Sequence, residues 1–179
     1  MGREGTTKSL SRRRLLRTAA KGATAGAAAS ASGCLGGRAD GLKIGVLQPY
    51  TGALRRWGHV STWGFLSGLA HRHGEGFVPV EAREMRTGGS VALETEEPEY
   101  EVLFRPSGTP SSTESFAESL VVEEGVDVLF GVVDARSAVR VIENVVRPNG
   151  ALYVAGGVDS VEVVGDPSLC SRNVFRANE

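Results

Sequence analysis

The chain has 179 residues, of which 41% are hydrophobic and 23% are charged, with two cysteines and a formal net charge of −1. Residues 1–33 hold seven of the 20 basic residues and one of the 21 acidic residues, so residues 34–179 carry a formal charge of −7. An acidic body disfavours nucleic acid and anionic lipid as partners, and two cysteines are too few for a disulfide framework.

A basic leader opens the chain. Residues 11–17 read Ser-Arg-Arg-Arg-Leu-Leu-Arg, and residues 18–32 are mostly Ala, Gly, Ser and Thr. This run is too weakly apolar for a membrane-spanning helix. The order resembles the twin-arginine export signal, with Arg12 and Arg13 as its arginine pair, and the resemblance implies export and removal of residues 1–33. The alternative is a disordered basic arm.

A cysteine follows the leader. Residues 31–34 read Ala-Ser-Gly-Cys and resemble a lipobox, in which the cysteine is acylated and becomes the mature N-terminus. The resemblance implies that Cys34 carries a lipid and that residues 34–41 form a short tether. The protein would then lie on the outer side of the cytoplasmic membrane and touch it only through this anchor. The alternative is an unmodified Cys34.

Residues 42–179 alternate short apolar runs with helical patterns. Strands are predicted at 44–47, 100–105, 126–131, 152–155 and 174–176, and helices at 57–72, 111–124 and 134–147. Ser111 and Glu114 have capping-box spacing, and Asp134 can cap the third helix. This alternation predicts an α/β fold with a parallel, doubly wound sheet and helices on both faces. Ligands of such sheets bind outside the carboxyl ends of the strands.

One segment breaks the alternation. Residues 74–99 contain two glycine-rich turns and many glutamates, without a helical stripe. We interpret this segment as an exposed insertion, with a loose hairpin built from residues 91–93.

Four segments together resemble a known family. They are residues 43–52, 125–131, 153–156 and 173–176, and their order and spacing are those of the solute-binding proteins of ABC importers that bind leucine, isoleucine, valine and related amino acids or amides. The resemblance implies an incomplete first lobe of the two-lobed type I periplasmic-binding-protein fold. It also implies a non-catalytic protein without a cofactor, whose partners are a small solute and the permease subunits. The alternative is a receptor of the same fold that passes ligand occupancy to a signalling partner.

The resemblance also points to solute contacts after the first strand. Trp57 lies where the family places an aromatic side chain against the apolar tail of the ligand; the alternative is a tryptophan packed on the core. Tyr50 lies in the same loop and would line the mouth of the cleft, unless it is a plain loop tyrosine.

Polar candidates follow the third and fourth strands. Ala135 stands where the family usually has a serine that holds the solute carboxylate, so Ser137 or Arg136 would take that role. Ser160 keeps a hydroxyl that the family uses, and Asp159 would bind a solute ammonium or face water.

Other chemistry is disfavoured by the pattern. Gly-Gly pairs are not followed by the Lys-Ser/Thr of a phosphate-binding loop. His59, His71 and His73 lie on one helix without metal-ligand spacing. Cys170 lacks the His and acid that would make it a nucleophile.

Overall fold

The computed structural model describes residues 41–74, 76, 80–93, 99–158, 162–167, 169 and 171–177. These residues all lie in one compact unit of the chain. The predicted export arginines Arg12 and Arg13, the predicted lipidation site Cys34, and Cys170 lie outside the described residues.

Six strands among the described residues form one sheet in the order β2-β3-β1-β4-β5-β6. Neighbouring strands are parallel except β2, which runs antiparallel to β3 at one edge. The strands are β1 Leu42–Gln48, β2 Ser90–Leu93, β3 Tyr100–Pro106, β4 Val128–Gly131, β5 Leu152–Ala155 and β6 Val174–Arg176. The five predicted strands and their parallel arrangement are confirmed.

The described helices lie between strands along the chain. They are α1 Arg55–Arg72, α2 Ala82–Thr87, α3 Pro110–Glu118, α4 Ala135–Val141 and α5 Glu162–Gly165. A π-helical turn, Ser119–Glu123, extends α3, and α4 continues through a second such turn, Ile142–Val146, to Arg147–Asn149. Gly150, with a φ of 66°, ends this continuous helix at Asn149, two residues beyond Arg147, the predicted last residue.

The two faces of the sheet bury separate apolar clusters. One cluster is made of side chains from α3, α4 and the strands they cover, and its buried members include Leu120, Leu129 and Val141. The other lies under α1 and α2, where Leu66 and Met85 are fully buried. Helices therefore cover both faces, and the predicted doubly wound α/β class is confirmed.

The segment predicted to be an exposed insertion is more ordered than its sequence suggests. It contains α2 and β2, and its side chains Val80, Met85 and Leu93 are buried. The prediction of no helix here was wrong because α2 is one short amphipathic turn, too brief to show a periodic stripe. The predicted hairpin is present as the antiparallel β2–β3 pair.

The cap of α3 also differs from the prediction. Thr109, not Ser111, precedes the helix, and its hydroxyl accepts the backbone N–H of Ser112 at 3.3 Å. Pro110 occupies the first helical position, where a missing N–H has no cost. A Thr-Pro pair is thus the stronger start signal in this segment.

Among the described residues, no helix is both long and apolar enough to span a membrane.

Candidate functional site at the carboxyl edge of the sheet

After β1 and after β4, the chain crosses to opposite faces of the sheet. These two strands are neighbours, yet β1 leads into α1 on one face and β4 leads into α4 on the other. Such a divergence opens a crevice outside the carboxyl ends of the two strands, which is where doubly wound sheets bind ligands. The fold therefore places the loops after β1 and β4 at the expected site.

Trp57 lies at this crevice with its indole largely open. It belongs to the first turn of α1 and is 57% exposed. Its Nε1 atom is 3.2 Å from the position that a Cβ atom on Gly157 would occupy, and Val133 Cγ2 is 3.5 Å from the same position. We call Trp57, Val133 and Gly157 the carboxyl-edge site. Glycine at position 157 is what lets the indole lie this close to the loop after β5.

The family role predicted for Trp57 needs an open indole, and the alternative needs a packed one. An exposed fraction of 57% leaves an aromatic face available at the crevice. Leu54, one helical turn earlier, is 51% exposed and adds apolar surface beside it.

Tyr50 lies in a different environment from Trp57. It is fully buried, and its ring stacks on His59 with the ring centroids 5.5 Å apart. The Thr62 hydroxyl donates to the Gly58 carbonyl, so the Tyr50 hydroxyl donates to Thr62 across 2.9 Å. Burial raises the pKa of the Tyr50 hydroxyl. This environment is that of a loop tyrosine packed under α1, which was the alternative to a place at the cleft mouth.

Asp134 caps α4, as predicted, and it engages Ser137. The Asp134 carboxylate accepts both the backbone N–H and the hydroxyl of Ser137, each at 2.8 Å. Ser137 is 1% exposed. Its hydroxyl proton is thus already donated inside the cap, and is not free for the solute carboxylate that the prediction assigned to it.

Cationic side chains lie close to the first turns of both helices. Arg55 and Arg56 begin α1, and Arg136 is the second residue of α4; all three are exposed. The positive end of a helix dipole adds to their effect on an anion. Arg136 was among the predicted contacts, whereas Arg55 and Arg56 were not, although an arginine pair in a helix first turn that lacks acidic residues is visible in the sequence.

The loop after β4 has an unusual backbone that sequence patterns could not reveal. Gly131 and Val132 both have positive φ, 116° and 62°. The Val132 N–H donates to the Leu47 carbonyl at 2.7 Å, and the Tyr153 hydroxyl donates to the Gly131 carbonyl at 3.0 Å. Burial raises the pKa of the Tyr153 hydroxyl.

The remaining predicted contacts, Asp159 and Ser160, lie outside the described residues. No cluster of three or more His, Cys, Asp or Glu side chains suited to a metal ion occurs in the part of the chain that the structure describes.

Solved structures with the same architecture include ABC-transporter solute-binding proteins. An ABC-type branched-chain amino acid transporter from Rhodopseudomonas palustris matches at 16% identity and a TM-score of 0.57 over 77% of this chain and 32% of its own. The branched-chain amino acid transporter substrate-binding protein LivJ from Streptococcus pneumoniae, in complex with isoleucine, matches at 15% identity and a TM-score of 0.53, over 76% and 33%. A solute-binding protein from R. palustris in complex with 4-hydroxybenzoate matches at 18% identity and a TM-score of 0.52, over 76% and 31%.

The chain has the fold of a partial lobe of a type I periplasmic binding protein. It spans about one third of the length of these solved proteins (31% to 33%). TM-scores of 0.52 to 0.57 show a shared fold, and identities of 15% to 18% leave the choice of solute open. No protein-family profile and no curated protein matches the sequence.

Proposed function

We propose that this chain is part of an extracytoplasmic solute receptor that serves an ABC importer. The observation that carries the proposal is the position of Trp57, exposed at the crevice between the β1 and β4 loops and flanked by Val133 and Gly157. An open aromatic face beside apolar loop residues suits the apolar part of a small organic solute.

The charged part of the solute is proposed to be a carboxylate. Arg136 lies in the first turn of α4, where its guanidinium and the helix dipole act on an anion in the same direction. The solute class is therefore an amino acid or a related carboxylic acid with an apolar body, and branched-chain amino acids are the first members to test. The receptor itself is proposed to be non-catalytic and to need no cofactor.

One lobe supplies only part of such a site. Neighbours with this fold are about three times as long as the match, and closure of two lobes around a solute excludes water and completes the contacts. Binding to residues 1–179 alone is therefore expected to be weak, in the millimolar range or close to it.

Solute titration followed through Trp57 tests the proposal. The 1–179 protein labelled with 5-fluorotryptophan gives one ¹⁹F resonance for each of its two tryptophans, and substitution Trp57→Phe assigns them. Isoleucine or benzoate should shift the Trp57 resonance in a saturable way, whereas isoleucinol and benzyl alcohol, which lack the carboxylate, should not.

Arg136→Gln should weaken the carboxylate response by about tenfold, the usual size of a lost charge-assisted hydrogen bond. Arg83→Gln, an exposed cation on α2, is the matched control and should bind like the unsubstituted protein. A Trp57 resonance that no carboxylate moves, or one that moves equally with both arginine variants, would refute the proposed site.

Export and anchoring complete the proposal. Arg12 and Arg13 are proposed to direct twin-arginine export and Cys34 to carry the lipid. In a host with this export route, Arg12→Lys with Arg13→Lys should leave the protein in the cytoplasm. Cys34→Ser should release it from the membrane fraction. Unchanged fractionation of both variants would contradict this part.

A further inference from the structure

Two consecutive residues at the carboxyl end of β4 have left-handed backbone angles. Gly131 has a φ of 116° and Val132 a φ of 62°. Glycine adopts such angles freely, but a β-branched residue rarely does, and the strain is on the order of 1–3 kcal/mol. Strain of this size persists only where neighbouring groups fix the conformation, so the contacts of this turn indicate what holds it.

Both flanking strands contact the turn. From β1, the Leu47 carbonyl accepts the Val132 N–H at 2.7 Å; from β5, the Tyr153 hydroxyl donates to the Gly131 carbonyl at 3.0 Å. The first contact joins backbone atoms and would form with many residue types at position 47. The second needs a phenol, because no other side chain has a hydroxyl at that reach. Tyr153 is fully buried, so its hydroxyl cannot use solvent instead.

The turn leads directly into the carboxyl-edge site. Val133 follows Val132 and approaches the position of a Gly157 Cβ to 3.5 Å, and Trp57 Nε1 approaches the same position to 3.2 Å. A rotation at Gly131 or Val132 would move Val133 relative to both of its neighbours. The geometry of the site therefore depends on whatever fixes these two residues.

We propose that Tyr153 is a positioning residue of the carboxyl-edge site: its hydroxyl holds the Gly131 carbonyl, and so fixes Val133 beside Trp57. The importance of this for solute binding rests on the proposed function. The positioning itself does not, since it is a property of the protein without solute.

The test compares two tyrosine substitutions in the 1–179 protein labelled with 5-fluorotryptophan. Tyr153→Phe removes one hydroxyl and should shift the ¹⁹F resonance of Trp57. Tyr100→Phe is the matched control: it is also a buried tyrosine of the sheet with a hydroxyl partner, His73 Nε2 at 3.0 Å, but it starts β3 at the amino end. This control should leave the Trp57 resonance in place.

An unshifted Trp57 resonance in folded Tyr153→Phe protein would overturn the proposal. If that variant does not fold, NMR of the unsubstituted protein tests the proposal instead. A Tyr153 hydroxyl proton that is protected from exchange and shows a nuclear Overhauser effect to the Gly131 α-protons would support the proposal. The absence of that effect would overturn the proposal.

Solute binding to the two tyrosine variants distinguishes the positioning role of Tyr153 from the proposed function. A carboxylate that shifts Trp57 in the unsubstituted protein should bind several-fold more weakly to Tyr153→Phe and equally well to Tyr100→Phe. Failure of every solute to bind would refute the proposed function, and the shift of Trp57 in solute-free Tyr153→Phe would still decide the positioning role.

Discussion

The two ends of the parallel sheet are built in different ways. At the amino end, Lys43 joins three partners: its backbone N–H donates to the Asp127 carboxylate at 2.8 Å, and its ammonium donates to the Glu124 carbonyl at 3.0 Å and pairs with Glu101 at 3.4 Å. Lys43 is the only lysine in residues 34–179. The Lys43 side chain therefore joins the start of β1 to β3 and to the helix end that precedes β4, and its backbone N–H adds a bond to Asp127 next to β4.

Beyond the carboxyl end of the same strands, several side chains are exposed to solvent. Trp57 is more than half exposed, Arg136 is exposed, and the turn at Gly131 and Val132 is held in a strained conformation. The polar groups of Lys43 at the amino end contact those of Asp127 and Glu101, whereas Trp57 and Arg136 at the carboxyl end are exposed. Lys43 thus stabilises one end of the sheet, whereas the proposed solute contacts lie at the other end.

Gly131→Ala should give the largest loss of stability, because it would disrupt the turn at the carboxyl end of the sheet. An added Cβ would lie 2.2 Å from the Leu47 carbonyl oxygen and 3.0 Å from Gln48 Nε2, at a φ that side chains rarely adopt. We expect the free energy of unfolding to fall by about 3 kcal/mol or more. Urea denaturation followed by far-UV circular dichroism measures it.

Gly64→Ala is the control for that substitution. Gly64 lies in the middle of α1, and no atom lies within 4 Å of its added Cβ. Alanine there should raise the free energy of unfolding by about 0.5–1 kcal/mol, because it restricts the unfolded chain and favours the helix. Equal losses in the two variants would mean that the left-handed turn has no special role.

Lys43→Met should lower the free energy of unfolding by a smaller amount, and it should affect only the amino end of the sheet. The Lys43 side chain is 21% exposed, and methionine keeps its apolar stem while removing the ammonium. We expect a loss of about 1–2 kcal/mol from one charged hydrogen bond and a partly exposed ion pair. Arg83→Met, on the surface of α2, should change stability by much less.

Lys43→Met also tests whether the two ends of the sheet are independent of each other. If the amino end contributes stability and not recognition, Lys43→Met should leave the ¹⁹F resonance of Trp57 where it is in the unsubstituted protein. A shift there would show that the two ends are coupled.

Apolar periodicity was sufficient to predict most of the fold. Each predicted strand contains a short run of apolar residues. Asp134 marks the start of one helix by its capping carboxylate, and Gly150 marks its end by a positive φ. The missed helix α2 and the misplaced cap of α3 are short-range features, for which one turn of sequence carries too little pattern.

The site was less predictable, because it depends on contacts between distant residues. Trp57 could be selected from its place after β1, but its exposure depends on how α1 packs. Ser137 has a hydroxyl at the right position, yet the Asp134 carboxylate three residues earlier already accepts its proton. The left-handed angle of Val132 runs against the preference of its residue type, so only the folded chain reveals it.

Trp57→Ala should have the smallest effect on stability and a large one on recognition. With more than half of its surface exposed, Trp57 contributes about 1 kcal/mol or less to folding. Trp63 is the matched comparison on the same helix: its indole N–H donates to the Val80 carbonyl at 2.9 Å, and its ring stacks on His59. Trp63→Ala should therefore cost about 2 kcal/mol or more in urea denaturation.

Solute binding should rank the two variants in the reverse order. A carboxylate that binds the unsubstituted protein should lose its affinity for Trp57→Ala, measured by saturation-transfer NMR on the solute. It should keep its affinity for folded Trp63→Ala. If Trp57→Ala were instead the less stable variant and still bound solute, the exposed indole would be a packing residue. The exposure of side chains at the carboxyl end would then not be explained by solute recognition.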